Sequence, residues 1–318
     1  MWRCVVKLLD EKLENAVAIK NILFATDFSK MSEAAFPYVT ALSLRYGSTV
    51  HLAHILPDAN LLAPSPVDPV LFGAIYEQAH SGAQEKIQRL SDRLHGFPHE
   101  THIRHGKISE ALSEIIREQA IDLLVVGTHG RTGLGKLIMG SVAEEIFRLA
   151  SCPVLTVGPR VAGIEQLIPV RHDYAPVPAQ IKFHRILYAT DFKPEYANTC
   201  LYATSLACEF QAEMALLHVI EDYGDRLLER PGPIDSALMQ LEQLIPDNVG
   251  LRHPPDCIAE FGVPAEVILR TAEEYAADLI VLGARPGVGH ISAATHFGGS
   301  TVHKVVVGAD CPVLTVRN

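Results

Sequence analysis

Short apolar, β-branched runs alternate along the chain with longer stretches whose apolar residues recur at helical spacing. That rhythm predicts βαβ units around a parallel sheet. In the first half the strand candidates are residues 21–26, 49–55, 100–105, 122–127 and 153–157. Between them Ala35, Val39, Leu42 and Tyr46 repeat at helical spacing, as do Leu112, Ile115 and Ile116, so that five strands and four helices are expected. The second half offers strands at 185–190, 213–220, 257–261, 278–283 and 312–316.

The two halves are copies. Ile22-Leu23-Phe24-Ala25-Thr26-Asp27-Phe28 returns as Ile186-Leu187-Tyr188-Ala189-Thr190-Asp191-Phe192. In the same order His54 is answered by His218, Gly106 by Gly262, Asp122 by Asp278, and Cys152-Pro153-Val154-Leu155 by Cys311-Pro312-Val313-Leu314. A repeat this long is a domain, not a solenoid unit. We therefore expect a first domain at 18–158, a proline-bearing linker at 159–183 and a second domain at 184–318. From His54 to Gly106 is 52 positions and from His218 to Gly262 only 44, a shortening assigned to the second helix and its loops. In the first half that helix follows a loop marked by Pro64, Pro66 and Pro69. Residues 1 to 18 have no counterpart; Val6, Leu9, Leu13 and Val17 would line one face of a short helix there.

Composition narrows the partners. A formal net charge of −10 with no Lys/Arg cluster argues against nucleic acid and against an acidic membrane surface. Acids and lysines interrupt the opening segment before it could form an export signal, and nowhere do about 18 apolar residues run together as a spanning helix requires. A cytoplasmic location is expected. Six cysteines, at 4, 152, 200, 208, 257 and 311, form no C-x-x-C and no Cys/His set at zinc spacing, so structural thiols are expected rather than a metal site or disulfides.

The chemistry concentrates after the fourth strand. Gly127-Thr128-His129-Gly130 is followed by Gly140-Ser141, with Arg131 and Lys136 in the loop between. Glycines let the backbone turn tightly and approach a ligand closely. A helix opening at Ser141 and Val142 would aim free N–H groups and a positive dipole end at a phosphate. The alternative stays open: Ser141-Val142-Ala143-Glu144 is also a capping box, and Asp27 would equally cap the helix after the first strand. His54 and His218 end equivalent strands and read as buried structural histidines, whereas His129 is the histidine placed to touch a polyphosphate. In a doubly wound sheet Asp27 and Gly127 should meet at one crevice.

These residues resemble a tandem universal stress protein over nearly the whole chain. The family's Gly-x2-Gly-x9-Gly-Ser/Thr pattern is matched by Gly127, Gly130, Gly140 and Ser141, with the Asp122 strand before it and Cys152-Pro153 after it. The resemblance implies an α/β fold of two tandem Rossmann-like domains, each a five-stranded parallel sheet of order 3-2-1-4-5 flanked by helices. It also implies ATP binding, with magnesium or manganese held through the phosphates. Ala25, Thr26 and Asp27 would lie against adenosine, Ile55 against adenine, and Gly127, Thr128, His129, Gly130, Arg131, Gly140, Ser141 and Val142 along ribose and phosphates. Family members pair their last strands, which implies intramolecular pairing of the two domains here and leaves a homodimer open.

The second half departs from the pattern. Gly283-Ala284-Arg285-Pro286 replaces the first turn, Gly283 to Ser300 is 17 positions against 14 from Gly127 to Ser141, and His303 stands for Glu144. Pro286 removes an N–H donor, so weak or absent binding is expected there. An ATP-binding regulatory protein of the stress response follows as the expected function. A slow ATP hydrolase or phosphoryl-transfer enzyme is the alternative, against which stand the lack of a P-loop and of an evident base. A scaffold that binds no ligand is the third reading.

Overall fold

The computed structural model describes residues 17–57, 69–127, 146, 150–158, 160–161, 181, 183–193, 197–221, 232–245, 249–284 and 300–317. Contacts divide the chain into two compact units, one built on Ile19–Pro159 and one on Lys182–Asn318. Val17 groups with the second unit although it precedes the first, its N–H donating to Ser205 Oγ at 3.0 Å. The rest of the segment before it, the 58–68 loop and most of the expected linker lie outside the described residues.

The first unit runs β1 (Asn21–Ala25), α1 (Lys30–Glu33), α2 (Phe36–Tyr46), β2 (Thr49–Leu56), α3 (Pro69–Arg93), β3 (His99–His105), α4 (Ile108–Glu118), β4 (Leu123–Gly127) and β5 (Val154–Val157). Its strands are parallel and ordered β3-β2-β1-β4-β5, as expected. Ile22, Leu23, Phe24, Leu52, Leu124 and Val125 are all fully buried. Burial on both faces explains why these strands read as continuous apolar runs rather than alternating ones. The edge strand β3, His-Glu-Thr-His-Ile-Arg-His, is polar and half exposed, which suits a sheet edge.

The helix expected through Ala35, Val39, Leu42 and Tyr46 is α2, with Pro37 in its first turn, where a missing N–H is tolerated; the four-residue α1 precedes it. The second helix of that half is α3, whose Ala83, Ile87, Leu90 and neighbouring Leu94 bury one stripe. The fourth expected helix of this half lies outside the described residues apart from Ile146.

The second unit repeats the plan with β6 (Arg185–Ala189), α5 (Ala197–Phe210), β7 (Glu213–Ile220), α6 (Gly232–Glu242), β8 (Asp256–Phe261), α7 (Pro264–Glu274), β9 (Leu279–Gly283), α8 (Thr301–Gly308) and β10 (Val313–Val316). Its parallel order is β8-β7-β6-β9-β10. The shortened path of this half shows as α6, 11 residues against 25 in α3. Among the described residues no helix is long and apolar enough to cross a membrane.

Candidate functional site

In the first unit β1 lies between β2 and β4, so strand order reverses beside it. An open parallel sheet leaves a crevice at the carboxyl ends of such strands. Ala25 pairs with Ala53 on one side and Val126 on the other. Ala25, Thr26 and Asp27, Ile55 near the end of β2, and Gly127 closing β4 therefore come off adjacent strand ends. Thr128, His129, Gly130, Arg131, Gly140, Ser141 and Val142 lie outside the described residues, as do Lys136 and Glu144.

The chain leaves β1 through a strained turn. Phe28 holds φ at 60°, a left-handed conformation that costs a residue with a side chain about 1–2 kcal/mol. Thr26 Oγ1 accepts the Phe28 N–H at 2.9 Å, Asp27 Oδ1 accepts the Ser29 N–H at 2.9 Å, and the Phe28 ring sits 4.4 Å from that of His54. Ser32 Oγ donates to the same Thr26 oxygen at 2.9 Å. Thr26 is thus spent on building the turn: its side chain is buried, its N–H goes to Ala53 O and its carbonyl accepts from His54. The cap of α1 is Ser29, whose Oγ accepts the Ser32 N–H at 3.1 Å, and not Asp27. Asp27 instead closes a side-chain turn that fixes its carboxylate at the crevice.

His54 has a positioning role. Its Nδ1 lies 2.7 Å from the Thr26 carbonyl, which can only accept, so Nδ1 carries the proton. His218 does the same for Thr190 at 2.8 Å, and Phe192 repeats the left-handed turn at φ 59° with its ring 4.2 Å from the imidazole. The sequences part after the phenylalanine. Where the first half has Ser29, the second has Lys193, whose Nζ pairs with Asp191 Oδ2. The Asp191 carboxylate therefore carries its own counter-ion. Later in the second half Ser300 Oγ accepts the His303 N–H at 3.2 Å and caps α8.

The other duplicated acid works at the opposite end of the strands. Asp122 Oδ2 accepts the N–H groups of Lys20 and Asn21 at 2.8 and 2.9 Å. Asp278 Oδ2 does so for His184 and Arg185 at 2.7 and 2.9 Å. Each clamps the start of the central strand, and each lies just outside the strand expected to contain it. Cys152, Cys200, Cys208, Cys257 and Cys311 are thiols rather than disulfide halves. Burial pushes Cys200 and Cys311 up to about 12, which keeps them protonated and unreactive near neutrality.

One constellation in the first unit escaped the sequence reading. His51 on β2 and Glu100 and His102 on β3 bring ligand atoms within 4.8 Å of one another. Burial and then the neighbouring imidazole hold His51 below the usual histidine range, against the pull of Glu100. Burial lowers His102 as well, with Glu100 opposing.

A model of the universal stress protein family matches residues 18–158 and again 182–317. The universal stress protein of Mycolicibacterium smegmatis is 24% identical over 315 residues, 93% of this chain and 96% of its own. Universal stress protein MJ0577 of Methanocaldococcus jannaschii is 26% identical over 157 residues, which is 45% of this chain and 96% of that protein. Among solved structures, a universal stress protein from Archaeoglobus fulgidus superposes with a TM-score of 0.65 at 20% identity, covering 93% of this chain and 98% of its own, a likeness of fold.

Proposed function

The chain belongs to the universal stress protein family, and on that premise we propose that its first half binds ATP as the occupancy signal of a stress-response regulator. The observation that carries the reading is that β1, which Asp27 follows, lies beside β4, which Gly127 closes, with Ala25 paired to Val126. From Gly127 onward the sequence holds the Gly-x2-Gly-x9-Gly-Ser pattern suited to phosphate. In this reading Asp27, fixed by its bond to Ser29, takes the ribose hydroxyls, and the backbone near Ile55 takes adenine. The loop residues Thr128, His129, Gly130 and Arg131, with Gly140, Ser141 and Val142, follow the phosphates. Magnesium or manganese, which prefer oxygen donors, would be held chiefly by the phosphates.

Two observations support restricting the nucleotide to the first half. Lys193, standing where the first half has Ser29, pairs with Asp191, and Pro286 removes a donor from the corresponding loop. ATP is held rather than turned over: Gly135-Lys136 is followed by Leu137, without the hydroxyl residue of a P-loop.

The test is to denature the purified protein and quantify released nucleotide and metal, for wild type and for Gly130→Pro. About one ATP per chain, lost in the variant, is expected. No released nucleotide, together with no thermal shift on adding ATP and magnesium, would overturn the reading. Equal occupancy of both halves would overturn the asymmetry.

A further inference from the structure

His51, Glu100 and His102 share one face of the first sheet. In the parallel register His51 stands beside Glu100 and Ala53 beside His102, so alternation turns all three side chains the same way. Helix α4 packs on this face, as the 3.0 Å pair of Arg104 with Glu118 shows. The three residues therefore lie away from the strand ends that form the crevice.

Their geometry suits an ion. Two donors at zinc–nitrogen distances around a tetrahedral centre sit about 3.3 Å apart. His51 Nδ1 and His102 Nε2 are 3.1 Å apart, and Glu100 Oε2 lies 3.7 Å from the first and 3.9 Å from the second. The histidine side chains are 3% and 9% exposed and Glu100 is 57% exposed, so the carboxylate is the ligand with room to close the remaining gap. Its exposure also supplies an entry path.

The surroundings select the right histidine tautomer. Asn21 Nδ2 donates to the Ala120 carbonyl at 3.3 Å, which turns Asn21 Oδ1 toward His51 Nε2 at 3.5 Å. The acceptor Oδ1 calls for the proton on Nε2, leaving the Nδ1 lone pair directed at His102 and Glu100. Outer partners of this kind orient metal-bound histidines. The simpler account is a hydrogen bond from His102 Nε2–H to His51 Nδ1. It satisfies the two rings and leaves the Glu100 carboxylate to solvent, whereas a cation engages all three.

We propose that His51, Glu100 and His102 bind a divalent transition-metal ion, zinc by donor type, that pins edge strand β3 to β2. Two imidazoles and a carboxylate favour zinc over magnesium or calcium, which take oxygen ligands. Water would complete the shell on the Glu100 side.

The experiment uses the full chain, stripped with chelator and desalted, titrated with zinc chloride by calorimetry and followed by thermal unfolding. Wild type should bind one zinc with a rise in Tm, and Glu100→Gln, an exposed change that spares the fold, should weaken binding about 10-fold or more. Cobalt should give tetrahedral visible bands in wild type that are lost in Glu100→Gln. Absence of saturable binding at micromolar zinc overturns the proposal. So does binding that survives Glu100→Gln and His102→Gln but is lost in His105→Gln, whose ring stacks with His80 on the other face.

Discussion

Replacing Thr26 by Val separates what the β1 turn contributes from what the sheet contributes. The swap keeps the shape but deletes one oxygen, and that oxygen accepts both the Phe28 N–H and the Ser32 hydroxyl, each at 2.9 Å. Thr26 and Ser32 are buried, so the orphaned donors find little water. Leaving a buried donor unpaired costs about 1–3 kcal/mol, and two give about 2–6 kcal/mol. The left-handed strain at Phe28, held in part by this oxygen, relaxes in the same step. Thr26→Ser retains the oxygen and loses one methyl group, about 0.8 kcal/mol. Native-state hydrogen exchange is the assay, with the matching turn at Thr190 as an internal control. The Phe28 amide should exchange about 30-fold faster or more in Thr26→Val, while the Phe192 amide keeps its wild-type rate. ATP affinity should fall in parallel, because the same turn carries Asp27. Thr26→Val and Thr26→Ser agreeing within about 0.5 kcal/mol, with unchanged Phe28 exchange, would refute the reasoning.

Other perturbations follow from the same structure. Asp122→Ala removes an acceptor of two backbone N–H groups, one exposed and one half-buried, and should cost about 1–3 kcal/mol in urea unfolding, while Asp122→Asn, which keeps one oxygen, should cost about half as much. Gln211 holds φ at 54° at the end of α5, where the first half has Gly47 at φ 67° after α2. Gln211→Gly relieves about 1–2 kcal/mol of left-handed strain against about 0.5–1 kcal/mol of added chain entropy, and should raise the second unit's denaturation midpoint slightly. A fall in that midpoint would count against the strain assignment.

How far the sequence reaches can be judged element by element. The ten strands were placed to within one residue at each end, the central ones because buried parallel strands leave continuous β-branched runs that only a two-sided core rewards. The helix read from Ala35, Val39, Leu42 and Tyr46 is α2, with Pro37 in the first turn that tolerates it. The duplication and the glycine pattern after Gly127 were legible because backbone turns impose residue types locally.

What a residue does at long range was not legible. His54 and His218 read in the string as structural histidines, and only the fold shows which groups they hold, their Nδ1–H groups donating to the Thr26 and Thr190 carbonyls. Asp122 reads as the first residue of a strand, yet its carboxylate holds a strand start about 100 positions away. His51 and His102 are separated by 51 positions, and no spacing rule joins them. Their meeting depends on the register of β2 against β3, which side-chain packing across the whole sheet decides. The chain by itself determined the order of elements and the turn chemistry, since both rest on neighbours in sequence. The tertiary structure decided which polar groups face one another, since that requires two strands to lie side by side.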